Sequence, residues 1–372
     1  MSILKVQKIR HTASDTDVID IANDGTCRAN IVNNLSNRNL IINGAMQVAQ
    51  RGTSSTSGGY QTVDRMPVYH TGGAVTQSQE SLTSGSPFEK GFTKYLRLTN
   101  TTANTGTDVA RSLIYKIEAQ DIANSGWNYK SSSSYITISF WVRSSVSQQF
   151  YIMARTQDGT SQAYPFSLGT LSADTWTKVT HSISGNSNLQ FDNNNDRGLE
   201  FFLYVSLGTD FTSSSVTLNA WGAYTSSARL PDYTNSWAAA TNATFDITGM
   251  QLEVGSVATD FEHRSFAQEI QLCKRYYEVL NPKLYILARY SHHDGAPYGQ
   301  YHFAVEKRVA PTCSFDTTGG TFESSSGYSG NPSFTDTTVD ATTIYGANSV
   351  TAGGILYLHT SSGGLLKFNA EL

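Results

Sequence analysis

The chain has 372 residues, enough for two or three domains, and only 15% of them are charged, against about 25% in ordinary soluble domains. Aromatics reach 11%, with 20 Tyr and 30 Gly among abundant Ser, Thr and Asn, which is the profile of an all-β protein with hydroxyl-rich surfaces and not of a disordered chain. A net charge of −4 without a Lys/Arg cluster argues against a nucleic-acid partner, and no apolar run approaches the ~20 residues that span a bilayer.

Residues 1 to about 38 read as a small module. Ile3, Lys5, Gln7 and Ile9 alternate with Leu4, Val6 and Lys8, Val18 to Ile21 make a second short strand, and Asn23-Asp24-Gly25 suit a turn, because these residues tolerate positive φ. So short a piece has little core, so it is expected to fold against a partner or in an oligomer, the other reading being a flexible arm. Charges interrupt the first eight residues before an apolar core forms, so they do not read as a signal peptide. Cys27, Cys273 and Cys313 are odd in number and far apart, unlike a secreted disulfide framework. The expectation is a product of the cytosol that is not exported.

Residues 39 to 264 read as one β-sandwich. Ile136, Ile138, Phe140 and Val142 share one face of a strand, with Thr137, Ser139, Trp141 and Arg143 on the other, and Phe150, Ile152, Ala154 and Phe201, Leu203, Val205, Leu207 repeat the alternation. Clusters of Ser, Gly and Asn separate these runs, which favours a sandwich or jelly roll. The segment Asn39 to Gly52 opens this region and reads as an apolar strand turned at Asn43-Gly44 into the first strand.

Ser265 and Gln268 then form a capping-box pattern, and Phe266, Ile270, Cys273, Tyr277 and Leu280 follow at heptad spacing, so a linking helix is expected over 265 to 281, ended by Asn281-Pro282. The stripe reads either as the seam of an oligomer or as the inner face of a helix on its own domain. Residues 282 to 372 read as a final β domain, with a hairpin from Lys283 to Tyr290 and Tyr298 to Val305, glycine-marked turns and an alternating last strand from Leu365 to Leu372.

Chemistry is sparse. Acidic residues supply carboxylate pairs by number alone, and no repetitive β-helix pattern accompanies them, so the chain does not read as an enzyme. His292, His293 and Asp294 read as a polar loop, since adjacent strand side chains point to opposite faces, and His302 is expected near the same surface. Sugars are recognised by aromatic faces stacked on pyranose C–H faces, with polar neighbours on the hydroxyls. The candidates are Trp127, Tyr129, Trp221, Tyr224, Tyr233 and Trp237 in the sandwich, and Tyr290, Tyr298, Tyr301, Tyr328 and Tyr345 beyond it, together with His292, His293, Asp294 and His302. Trp141 and Trp176 are assigned to packing.

The segment Asn39 to Gly52 resembles the motif that opens the main domain of bacteriophage tail-fibre and receptor-binding proteins. The stretches Tyr135 to Arg143, Asp174 to Val179 and Phe245 to Gly255, followed by Ala258 to Glu262, resemble carbohydrate-binding-module-like jelly rolls. The resemblance implies a mainly β fold in four parts: a tail-attachment segment (1–38), a jelly roll (39–264), a short helix at a trimer seam (265–281) and a C-terminal receptor-binding β domain (282–372), sandwich-like in form. It further implies a homotrimer in the virion, held by a tail or baseplate protein and binding a host surface polysaccharide; from the residues themselves, without a metal or nucleotide motif or a long apolar run, no cofactor and no membrane insertion are expected. A structural calcium enters through the same likeness, with Asp246 as a ligand. The other readings are a structural connector or decoration protein of the virion and a glycan depolymerase.

Overall fold

In the computed structural model, residues 8–10, 17–21, 27–29, 37–280, 286–290, 297–316, 322–324, 329–345, 356–360 and 365–372 are described. The N-terminal strands β1 (Lys8–Arg10), β2 (Asp17–Ile21) and β3 (Cys27–Ala29) form one antiparallel sheet, with Ile9 opposite Ile19 and Ile19 opposite Ala29.

The main body is a jelly-roll-like sandwich of twelve strands. These are β4 (Ser54–Ser55), β5 (Val68–Thr71), β6 (Val75–Ser81), β7 (Lys94–Asn100), β8 (Ala110–Glu118), β9 (Tyr135–Ser144), β10 (Gln148–Thr156), β11 (Gln162–Leu171), β12 (Thr177–Ser184), β13 (Arg197–Leu207), β14 (Gly222–Ala223) and β15 (Thr244–Val254). The first sheet runs β14-β11-β10-β13-β8-β5 and the second β12-β9-β15-β7-β6-β4. Between them lie the alternating residues read from the sequence: Ile138, Phe140 and Val142 of β9 meet Phe150 and Ile152 of β10 and Phe201 and Leu203 of β13, all buried. Such two-residue periodicity buries one face of each strand and leaves the other outward.

The opening segment differs from expectation, since residues 39–52 contain no strand. Asn43 and Met46 adopt left-handed φ of 61° and 57°, which interrupt an extended ladder. Asparagine side chains take the place of ladder bonds. Asn39 Oδ1 accepts from the amides of Ile41 and Leu252, while Asn43 Nδ2 donates to the carbonyls of Val48 and Asp64 and its Oδ1 accepts from the Val48 amide. Gly44 lies so close to β15 that a Cβ there would sit 2.1 Å from the Met250 carbonyl oxygen.

After the short helices α1 (Ser86–Glu89), α2 (Ala119–Ala123) and α3 (Ser236–Ala239), the linking helix is α4 (Phe266–Lys274), shorter than the expected 265–281. Its capping box forms as read, with the Gln268 amide donating to Ser265 Oγ at 3.3 Å and the Ser265 amide to Gln268 Oε1 at 3.1 Å. After it the chain becomes β16 (Tyr277–Leu280), because Tyr, Val and Leu suit a strand and β25 (Leu365–Asn369) offers an edge to pair with. The five expected seam residues therefore do not form one helical stripe. Phe266 is exposed, Ile270 half-buried, Cys273 buried against the sandwich, and Tyr277 and Leu280 lie in a strand.

The C-terminal strands are β17 (Ile286–Tyr290), β18 (Pro297–His302), β19 (Thr312–Asp316), β20 (Phe322–Ser324), β21 (Ser329–Gly330), β22 (Ser333–Thr335), β23 (Ala341–Tyr345), β24 (Leu356–Thr360) and β25. They form a three-stranded sheet, β16-β25-β19, and a seven-stranded sheet, β21-β20-β24-β17-β18-β23-β22. The expected hairpin is present, with Tyr290 opposite Pro297. Leu366 and Phe368 of the last strand pack with Phe303 and Ile344. The end of this region is fastened to the sandwich. The buried Arg65 pairs with Glu371, Lys116 Nζ donates to the Leu372 carbonyl at 2.6 Å, and Arg308 bridges the carbonyls of Asn195 and Ala370. No helix among the described residues is long and apolar enough to cross a membrane.

Candidate functional site

The seven-stranded sheet brings part of the expected aromatic set together. Tyr301 of β18 and Phe303 just after it turn inward while Tyr298, Gln300 and His302 turn outward, as the two-residue period requires. Pairing with β23 sets Tyr298 against Tyr345, Gln300 against Thr343 and His302 against Ala341, and β22 adds Ser333 beside Tyr345 and Thr335 beside Thr343. The Tyr298 and Tyr345 rings stack with centroids 5.4 Å apart at 24°. Both are half-buried, and Gln300, His302, Ser333 and Thr335 are exposed around them. The result is a surface of two phenol rings bordered by amide, hydroxyl and imidazole groups, with Arg289 of β17 opposite Tyr298 in the register.

Tyr301 does not belong to this surface. It stacks on Phe368 at 5.4 Å and donates its hydroxyl to Glu278 Oε1 at 2.9 Å, and burial together with Glu278 pushes its phenol pKa up. The reason is Glu278, whose buried carboxylate also holds the fully buried Lys307 ammonium and needs donors on all sides. Tyr290 ends β17 opposite Pro297, out of step with Tyr298, whereas His292, His293, Asp294 and Tyr328 lie outside the described residues.

The sandwich candidates separate. Trp237 is a core residue, fully buried, with its amide donating to Gln148 Oε1 at 2.7 Å. Trp127 is buried beside Phe191 and the half-buried Tyr129. Tyr233 packs on Tyr151 with centroids 5.2 Å apart. Trp221 is half-buried, bonded through Nε1 to the Ser184 carbonyl at 2.8 Å, and borders a groove of about 390 Å³ with Pro165, Val216 and Arg229. Tyr224 is half-buried, with the Arg155 guanidinium 3.8 Å above its ring. These two stand at the β14 edge of the first sheet and not on the surface of Tyr298.

Trp141 and Trp176, expected to be packing residues, pack against a small cluster of Ala45, Leu82, Phe92 and Tyr95 on the outer face of the second sheet, where both stay half-buried. The signal was present in the strand parity: Trp141 and Arg143 share the outward positions with Thr137 and Ser139. Register sets Lys178 beside Trp141 and aligns Arg143, Asp246, Arg97 and Ser78 across four strands. Asp246 is no open metal ligand, because both its oxygens are occupied. Arg97 donates to it through Nε at 2.7 Å and Nη2 at 3.0 Å, and Arg143 through Nε at 2.9 Å and Nη2 at 2.7 Å. The hydrogen bonds to Asp246, working against partial burial, raise the Arg97 guanidinium pKa. Trp176 lies 4.8 Å from the Arg143 guanidinium and 5.7 Å from the Tyr95 ring, which it meets edge-on. Trp141 borders a neighbouring cleft of about 310 Å³ with Phe92, Phe261, His263 and Lys178. No group of three or more His, Cys, Asp or Glu among the described residues is placed to hold a metal ion.

No protein-family model matches the chain, and no curated protein matches it significantly. Among solved structures, the chain is similar to the enzymatically active domain of bacteriophage CBA120 tailspike protein 4, at 10% identity and a TM-score of 0.31 over 58% of this chain and 21% of that one. The chain thus spans about a fifth of that structure's length. A putative sugar binding protein from Bacteroides thetaiotaomicron matches at 10% identity and a TM-score of 0.29 over 59% of this chain and 100% of that one. The N-terminal cellulose-binding domain of Cellulomonas fimi β-1,4-glucanase C matches at 9% identity and a TM-score of 0.29, covering 57% and 99%.

Proposed function

We propose that this chain is a bacteriophage tail fibre that attaches the virion to its host by binding a surface glycan, lipopolysaccharide or capsule, through its C-terminal sheets. The observation that supports this reading most directly is the stacked Tyr298–Tyr345 pair on an exposed strand face, bordered by Gln300, Thr343, Thr335, Ser333 and His302. Phenol faces pack on the apolar side of a pyranose, and the neutral donors and acceptors around them exchange hydrogen bonds with its hydroxyls at low desolvation cost. The segment before residue 39 would dock on a tail or baseplate protein, and the assembly would be a homotrimer. Three weak sites on one rigid body gain through effective concentration, so single-site affinity of about 1 mM is enough.

The test is adsorption of the full-length protein to host cells and to their purified polysaccharide. The double variant Tyr298→Ala/Tyr345→Ala is expected to lose at least about tenfold in apparent affinity, equivalent to ~1.4 kcal/mol, while keeping its melting temperature within a few degrees. Undiminished binding by that variant would overturn the assignment of the site. In the proposed non-catalytic role the polysaccharide is recovered without new reducing ends, which a reducing-sugar assay checks.

A further inference from the structure

We propose that the outer face of the second sandwich sheet is a separate site for an acidic saccharide, with a sugar carboxylate on Arg97 and Arg143 and a pyranose face on Trp176. The two guanidinium groups spend their Nε–Nη2 edges on Asp246 and keep the Nη1 edges for a ligand. Their side chains are 28% and 26% exposed, while the Asp246 side chain beneath them is only 1% exposed. Asp246 is therefore a positioning residue that fixes two cationic forks in one row, so little side-chain entropy is left to lose on binding.

The charge balance fits an anion. Arg97, Arg143 and the exposed Lys178 face Asp246 and Glu80, and Glu80 is itself engaged by the Ser78 hydroxyl at 2.7 Å. Glu253, outward on β15, is paired with Arg38, so these groups together leave one positive charge on a chain whose net charge is −4. Guanidinium forks match carboxylates in geometry, and charge-assisted hydrogen bonds are roughly twice as strong as neutral ones. The half-buried Trp176 lies beside Arg143, and the cleft next to Trp141 has about 310 Å³, room for a further sugar ring. A neutral sugar would use the ring but leave the free guanidinium edges without a charged partner. This site is separate from the surface around Tyr298, which lies on the seven-stranded sheet.

The experiment is isothermal titration of the full-length protein with tetragalacturonate and, separately, with the neutral galactotetraose. The wild type is expected to bind tetragalacturonate at least about tenfold more tightly than galactotetraose, and raising salt from about 50 to 500 mM should weaken the acidic ligand selectively. Trp176→Ala and Lys178→Glu, both at partly or fully exposed positions, should each lower tetragalacturonate affinity, and Arg143→Gln should abolish it, with melting temperatures recorded for all three. Tyr298→Ala/Tyr345→Ala should leave it unchanged, so this site and the C-terminal one fail or succeed separately. Equal affinity for the two tetrasaccharides, or wild-type affinity in Trp176→Ala and Lys178→Glu, overturns the proposal, as does the absence of heat with either ligand.

Discussion

Asp64 shows how one side chain carries both structure and pH sensitivity. Its carboxylate is buried and accepts from the Gln50 amide at 3.0 Å and from Gln50 Nε2 at 2.5 Å, with Arg51 Nη1 3.9 Å away. Burial outweighs these contacts and pushes its pKa up from 3.8 to about 6. The folded state therefore holds the proton more tightly than the unfolded chain between those values. Stability from this group is fully present below pH 3.8 and is lost as pH rises towards 6, by roughly 3 kcal/mol at most. Urea titrations at pH 4 and 7 should show that Asp64→Asn removes this slope, and an unchanged difference between the two pH values would sink the assignment. At the same scale, Tyr298 and His302 could be read from the chain because strand parity places every second residue on one face. Which parity faces inward could not be read for Tyr301, since its partner Glu278 lies 23 residues away and meets it only in the folded protein.

The helix α4 joins the sandwich to the C-terminal sheets, and its start is written locally. The Ser265 cap satisfies an amide that would otherwise lack a partner, so Ser265→Ala should cost about 1 kcal/mol, read as a lower denaturant midpoint without a change in slope. A loss near zero would mean that tertiary contacts alone hold the helix. Its end is not written locally. Tyr277 and Leu280 continue the heptad spacing, yet pairing with β25 takes both into a strand. Likewise the apolar run of Ile41 and Ile42 has the composition of a strand, but the Ile42 amide donates to the Tyr115 hydroxyl and the Ile41 carbonyl accepts from Arg264 Nη1, both far away in the sequence. Non-local hydrogen-bond partners overrode local propensity in both places.

At the scale of the molecule, Cys273 and Glu269 on the inner side of α4 meet the opening segment, with Glu269 Oε1 accepting from the Asn43 amide at 2.5 Å. The outer side leaves Phe266 56% and Leu272 38% exposed, and Leu272 borders a largely apolar groove of about 630 Å³ with Ala267, Gln271 and Val305. If the proposed trimer forms through this surface, light scattering at micromolar concentration should give three times the chain mass, and Phe266→Ser/Leu272→Glu should give monomers. A wild-type monomer would overturn the assembly, and a trimer in the double variant would move the contact elsewhere.

The sequence by itself determined the β architecture, the inward faces of the sandwich strands and the capped start of α4, because alternation and capping depend on residues within a few positions of one another. Only the tertiary structure decided which aromatic side chains are covered and which stay accessible. Trp237 became core, Trp141 and Trp176 packed half-buried on a small outer cluster, and Asp246 became the shared partner of two arginines, since each outcome depends on which strands pair and on what packs over them. A single tryptophan looks the same in the sequence whether its ring is covered or open to a sugar, and only the neighbouring sheet settles which.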